Sequence, residues 1–276
     1  MSSALLSASR QLGGSGLLAV VRGGYDRKSL AALGALVSVG ALVGYRWSDL
    51  LDVNGGMDWL LCGTWLWMAG LLTWSVTLRR DLAMLAVGFV GGGVIEWWGT
   101  VTQIWTYFTL ERPPLWILPA WPIATLAIDR MARLMDRMLG ELGPKAPGAT
   151  WFWLAYWLMV PSFVIAMIAF ARHTVGTTAT QLVIVLMAGI TLHCPKPRRD
   201  VMVFLAGSLL GIFLEYWGTS RQCWTYYTGQ VPPAVACVAH GFSAIAFARG
   251  TDLVEWLLDA MPRSLGLGLR RVSDSR

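Results

Sequence analysis

The stretch Glu96-Trp97-Trp98-Gly99-Thr100-Val101-Thr102-Gln103-Ile104-Trp105-Thr106-Tyr107-Phe108-Thr109 returns, 119 residues later, as Glu215-Tyr216-Trp217-Gly218-Thr219-Ser220-Arg221-Gln222-Cys223-Trp224-Thr225-Tyr226-Tyr227-Thr228. The correspondence runs without a gap from residues 79–130 onto residues 198–249. Of its 52 aligned positions 19 are identical, and 11 of those lie among the 19 positions from Glu96 to Pro114. Self-similarity at a fixed offset is the signature of a duplicated unit. Identity concentrated in one block marks that block as the candidate site.

Around it, each repeat carries four apolar segments, at about 29–47, 59–78, 82–100 and 115–135 in the first half and 150–171, 177–194, 201–219 and 234–257 in the second. Helices of these lengths, at ~1.5 Å rise per residue, cross most or all of a ~30 Å hydrocarbon core. Composition agrees: 55% hydrophobic residues, 14% charged, 16 tryptophans and a mean hydropathy of +0.54 are too apolar for a soluble chain of 276 residues. The sequence predicts an all-α, polytopic membrane helix bundle of about eight transmembrane helices, arranged as a tandem parallel repeat of four plus four. An even number of spans per repeat inserts both halves the same way up, unlike an inverted repeat. The predicted organisation is a tail over 1–28, a first four-helix repeat over 29–138, a linker over 139–149, a second repeat over 150–259 and a tail over 260–276. The linker is read from the helix-breaking run Gly140-Glu141-Leu142-Gly143-Pro144-Lys145-Ala146-Pro147-Gly148.

Lys and Arg flanking the spans set the orientation. Of 22 such residues, 18 fall on one side, among them Arg10, Arg79, Arg80, Arg130, Arg133, Arg198, Arg199, Arg249, Arg270, Arg271 and Arg276. Arg46, Arg112, Arg172 and Arg221 fall on the other. Both termini are therefore expected in the cytoplasm, in the plasma (inner) membrane, and the net charge of +6 reflects topology rather than a nucleic-acid partner. No signal peptide is expected, because the short apolar run Gly16 to Val21 lacks a cleavage pattern. Cys62, Cys194, Cys223 and Cys237 show no paired spacing. No phosphate-cradling loop, dinucleotide fingerprint, zinc spacing or nucleophile elbow occurs, so neither a cofactor nor a metal is expected.

On this topology the repeated block begins at the outer end of the third and seventh spans and stops where Pro113-Pro114 and Pro232-Pro233 open the next helix. Gly88, Gly92 and Glu96 are spaced i, i+4, i+8, and Gly207, Gly211 and Glu215 repeat the pattern. Small residues at that spacing admit a neighbouring helix and turn the glutamate toward the bundle. Thr100 and Gln103, with Thr219 and Gln222, extend the stripe if the helix continues another turn. A carboxylate inside a membrane costs on the order of 3 kcal/mol at the helix centre, so two of them ask for a reason. Trp98, Trp105, Tyr107, Trp217, Trp224 and Tyr226 are either an interfacial belt or the walls of a pocket. Aromatic walls beside an acid suit a substrate that develops positive charge. The halves also differ: Trp121 is matched by His240, Thr102 by Arg221 and Asp129 by Ala248. Glu215 is accordingly expected to be the more reactive glutamate, with Arg221 and His240 tuning its proton affinity.

The run Glu-x-x-Gly-Thr-x-Thr-x-x-x-x-Tyr-x-Thr followed by Pro119-Ala120-Trp121 resembles the signature stretch of the carotenoid-biosynthesis integral membrane proteins that include bisanhydrobacterioruberin hydratase. The likeness covers about 26 residues of each repeat, from Glu96 to Trp121 in the first. It implies a polytopic, aromatic-rich protein that adds water to, or cyclises, a terminal alkene of a polyene. Glu96 or Glu215 would then be the acid, Trp98, Trp105, Tyr107 and their counterparts the cation wall, and Thr100 and Gln103 the groups that hold water.

Three classes of function fit these residues: an enzyme acting on a lipid or isoprenoid, a proton- or cation-coupled transporter, and a non-catalytic lipid- or pigment-binding subunit with partners in a larger membrane complex. The sequence leaves catalysis itself open.

Overall fold

The computed structural model describes residues 21–46, 48 and 58–264. Much of the two predicted tails, with Arg10, Arg270, Arg271 and Arg276, and most of the loop 47–57 lie outside the described residues. Eight long helices are described: α1 (Arg27–Arg46), α2 (Asp58–Thr73), α3 (Leu78–Val101), α4 (Ala120–Gly140), α5 (Ala149–Phe170), α6 (Thr178–Leu192), α7 (Pro197–Ser220) and α8 (Ala234–Ser264). Two three-residue strands, β1 (Trp105–Tyr107) and β2 (Trp224–Tyr226), and two short 3-10 turns are described between the helices. The molecule is thus mostly helical, and its helices stand where the apolar segments are.

Among the described residues five helices are long and apolar enough to cross a membrane: α1, α3, the stretch Gly143–Phe170 that ends with α5, α7, and α8 over Ala234–Ala260. α2 and α6 are shorter, with 16 and 15 residues. α4 is amphipathic and carries Asp129, Arg130, Arg133, Asp136 and Arg137 on its second half. Large apolar side chains cover the outside, including Val90, Leu154, Ile165, Val185 and Phe213, each more than half exposed.

The centre is a four-helix bundle in which α3 packs on α4 and α7 on α8, and each pair is closed by the other, α3 on α8 and α4 on α7. Glycine decides how closely these helices meet. A Cβ on Gly92 would lie 2.2 Å from the Trp121 ring, and one on Gly207 would lie 2.7 Å from the Gly241 backbone. The core runs through both halves: Ala127 and Ile128 of α4, Phe152, Tyr156, Val160 and Phe163 of α5, Ala206 and Leu210 of α7, and Phe242 and Ile245 of α8 form one buried cluster.

α3 and α7 end identically. Gln103 N–H bonds to the Thr100 carbonyl and Ile104 N–H to that of Gly99, while Gln222 and Cys223 bond in the same way to Thr219 and Gly218. This is a Schellman motif with glutamine, φ +59° and +57°, in the left-handed position. The helix therefore does not continue to Gln103, and the predicted inward stripe stops at Thr100.

After it the chain extends into β1 and β2, which pair antiparallel with Trp105 opposite Tyr226, Thr106 opposite Thr225 and Tyr107 opposite Trp224. The register is centred on Thr106 and Thr225, whose hydroxyls lie 3.1 Å apart. Cis peptides precede Pro113 and Pro232. In the second half α8 starts directly at Ala234, as expected from Pro232-Pro233. In the first, a turn Leu115–Ile117 intervenes and α4 starts only at Ala120. The first half has Pro119 and Pro122 where the second has Val238 and Gly241, so its helix begins after Pro119 at the N-cap and carries Pro122 in its first turn, where a missing N–H is tolerated.

Candidate functional site

The two glutamates are buried, each 4% exposed, one turn before the ends of α3 and α7. Glu96 Oε2 accepts from Trp105 Nε1 at 3.1 Å and from Tyr107 OH at 2.8 Å, and Oε1 accepts from Trp121 Nε1 at 3.0 Å. Glu215 Oε2 accepts from Trp224 Nε1 at 3.0 Å and Tyr226 OH at 2.9 Å, and its Oε1 lies 3.0 Å from His240 Nε2. The same local chemistry produces both clusters. The helix end reverses the chain, and the strand that follows carries Trp and Tyr two residues apart, so both project from one face of the ribbon. The indole of Trp105 seats over Gly99 and that of Trp224 over Gly218, where an added Cβ would lie 1.9 Å from the ring.

The clusters meet across the ribbon. Trp105 and Tyr226 are in edge contact with centroids 6.1 Å apart, and Tyr107 and Trp224 repeat this at 6.0 Å. Trp121 and His240, which occupy equivalent positions, stack at 5.6 Å with their planes 14° apart. One continuous array therefore runs from Glu96 through Trp121 and His240 to Glu215.

The halves differ in what their third partner can do. Tyr107, Trp105 and Trp121 are donors to Glu96, which matches an ionised carboxylate, an acceptor only. The second half replaces the fixed Trp121 donor with an imidazole that donates or accepts according to its protonation. The Glu215–His240 pair can hold one exchangeable proton.

Both clusters open onto a cavity of about 570 Å³, otherwise lined mainly by apolar side chains such as Phe163, Met167, Met187 and Phe242. Glu96, Glu215, Trp98, Trp105, Tyr107, Trp217, Trp224, Tyr226 and His240 all line it. Trp98 is fixed there by its indole N–H on the Thr180 hydroxyl, 2.9 Å away in α6. Its counterpart Trp217 is half exposed.

Comparison with family models, with curated proteins and with solved structures finds no match. The arrangement has to be read from its own chemistry.

Five of the residues singled out from the sequence lie away from the cavity wall. Thr100 and Thr219 are buried, but each hydroxyl donates at 2.6 Å to the carbonyl four residues back, Glu96 or Glu215, and so serves the helix. Gln103 and Gln222 are exposed at the left-handed helix ends. Arg221 is exposed at the C-cap of α7 and makes no side-chain bond with Glu215. Among the described residues no cluster of three His, Cys, Asp or Glu side chains has the form of a metal site.

A second duplicated feature went unread in the sequence. Asp81 pairs with Arg130 at 2.6 Å, and the equivalent Asp200 pairs with Arg249. Arg130 and Asp200 are 1% and 0% exposed. Asp252 accepts from both Arg80 and Arg199, a matched pair from the two halves. The signal lay in the ends of the repeat, which open on Arg-Arg-Asp and close on Arg in both copies. Fifteen residues separate Asp81 from Glu96, so this ionic layer stands ~22 Å along the helix from the carboxyl sites.

Proposed function

We propose that this chain is an integral protein of the plasma (inner) membrane, a parallel four-plus-four repeat with both termini cytoplasmic, that binds a lipid-soluble isoprenoid in its cavity. We further infer that it hydrates or cyclises a double bond of that ligand at the Glu215–His240 pair. Five spanning-length helices, the apolar exterior and the gathering of Arg79, Arg80, Arg130, Arg133, Arg198, Arg199 and Arg249 at one end of the central helices support the membrane reading.

The observation that carries the chemistry is a titratable imidazole, His240, where the otherwise duplicate constellation has Trp121, at the wall of an apolar cavity. In hydration, the proton held by the pair passes to the terminal alkene carbon and leaves a tertiary cation. The Glu96 carboxylate and the surrounding rings stabilise that cation. Water then adds its oxygen to the cation, and the proton it releases returns to the pair, so that one water is consumed and the protein is unchanged. In cyclisation a second double bond replaces water as the nucleophile, and the pair recovers its proton from the neighbouring carbon.

The transporter class needs a wet path through the other end of the bundle. That end is filled by the buried Arg130–Asp81 and Arg249–Asp200 pairs and, between them and the cavity, by Ala127, Ala206 and Ile245. The non-catalytic class has no use for the replacement of Trp121 by histidine.

The test is mass spectrometry of the organic extract of protein purified in mild detergent, wild type beside Glu215→Gln. An isoprenoid that differs by one water, or an isomer pair, between the two preparations is the expected result. The same molecule bound unchanged in both overturns the catalytic reading in favour of a binding subunit.

A further inference from the structure

The cavity combines negative charge, aromatic walls and a shortage of free acceptors. Among the described residues its lining contains Glu96, Glu215 and His240 but no Lys, Arg or Asp. The basic residues paired to Asp81, Asp200 and Asp252 stand at the far end of the bundle. Glu96 Oε1 and Oε2 meet only donors, the surroundings of an acceptor-only carboxylate, and Glu215 repeats the Trp and Tyr donors, so the wall is built to carry negative charge opposite a cation.

The hydrogen bonds decide which cation. An ionised carboxylate offers about four acceptor positions. On each glutamate three are engaged by the protein's own side chains: two on Oε2 and one on Oε1. A primary ammonium brings three N–H donors, and beyond about one open acceptor on each carboxylate the lining offers it only the Thr109 and Ser243 hydroxyls among mainly apolar walls, so its donors are poorly served. A cation with no N–H has nothing to leave unpaired. Its charge is diffuse and its surface is apolar, and it is the kind of ion that aromatic side chains such as Trp98, Trp105, Trp224, Tyr107 and Tyr226 hold well.

We propose that this cavity is a binding site for cations that donate no hydrogen bond, with an alkyl-trimethylammonium amphiphile as its stable ligand. A volume of about 570 Å³ leaves room for an alkyl tail beside the head, within the ~300–1,000 Å³ of typical ligand sites. The inference deepens the reading above, because a tertiary carbocation is the same kind of ion, but binding of the stable ion requires no reaction.

The experiment titrates purified wild-type protein in a neutral detergent with dodecyltrimethylammonium, dodecylamine and dodecanol, following tryptophan fluorescence and confirming stoichiometry by native mass spectrometry. The quaternary ion is expected to bind at least tenfold more tightly than either the protonated amine or the alcohol. That preference should vanish in Glu96→Gln/Glu215→Gln, in which dodecanol binding reports that the cavity is still formed. A primary amine that binds as tightly as the quaternary ion overturns the proposal in wild type alone, without reliance on the variant. So does a preference that survives loss of both carboxylates.

Competition by lysophosphatidylcholine separates the two natural sources of such a charge. Displacement of the probe at equal concentration assigns the site to a choline headgroup, and tenfold weaker displacement assigns it to a cation formed in the reaction. Either result upholds the cation site. Tight quaternary binding together with an extract unchanged by Glu215→Gln keeps this inference and removes the proposed reaction. The reverse pattern removes this inference and keeps the reaction.

Discussion

At the residue scale the two halves differ most usefully at one position. Trp121 and His240 hold equivalent places, reach equivalent glutamate oxygens and stack on each other. His240→Trp would restore the donor that the first half uses, so the folded protein should survive while the exchangeable proton is lost. Removal of a general acid typically costs ~10²–10⁴ in rate. The expected outcome is a thermal transition close to that of wild type with turnover of the isolated ligand reduced at least a hundredfold, and retained turnover would remove His240 from the chemistry. The glycines beneath the indoles make a second residue-level case. Gly99→Ala or Gly218→Ala places a methyl 1.9 Å from a ring that is held by its bond to Glu96 or Glu215, and overpacking of this kind costs ~1–3 kcal/mol. Either variant should melt several degrees lower in detergent, whereas Gly140→Ala, which meets nothing within 4 Å, should not. The sequence made the glutamates, Trp and Tyr legible because both copies retain them. It also retained Thr100, Thr219, Gln103 and Gln222, and retention did not distinguish side chains that build the backbone from those that face the cavity.

At the element scale, the ends of α3 and α7 explain that confusion. A helix end is usually announced by glycine in the left-handed position. Here glutamine occupies it twice, so the stripe of Glu96, Thr100 and Gln103 reads as one more helical turn. A non-glycine residue in that conformation carries a penalty of ~1 kcal/mol. Gln103→Gly and Gln222→Gly relieve it at exposed positions and should each raise stability by a few tenths to ~1 kcal/mol, seen as a higher midpoint of thermal unfolding, with ligand binding unchanged. A loss of binding would instead return the amide to the site. The ribbon was illegible for another reason. Trp-Thr-Tyr is too short to announce a strand, and each copy pairs with the other across 119 residues, a register that exists only once the two helix ends have been brought together. Pro119 and Pro122 account for the start of α4 at Ala120 instead of about 115, where Pro113-Pro114 alone place it.

At the scale of the whole molecule, the duplication suggests two equal bundles joined by a linker, and the contacts describe something else. α3 closes on α8 and α4 on α7; Trp98 of the first half is anchored by Thr180 of the second; the core cluster and the ribbon each draw on both halves. Asp252, which gathers Arg80 and Arg199, corresponds to Arg133 in the first copy. The two copies thus carry opposite charge at this position, and the one carboxylate serves two equivalent arginines across the joined molecule. Neither half has a complete core or a complete cavity by itself. When residues 1–145 and 146–276 are produced as separate chains, which cuts the connection at the Gly143–Lys145 turn, each alone should aggregate or be degraded. Co-expressed, they should co-purify at equal stoichiometry with the ligand binding of the intact protein. A first half that unfolds cooperatively alone, at the midpoint of the intact chain, would mean that the two copies remain independent units and that the cavity between them is incidental. The shared carboxylate Asp252 and the ribbon, each of which draws on both copies, argue for the opposite.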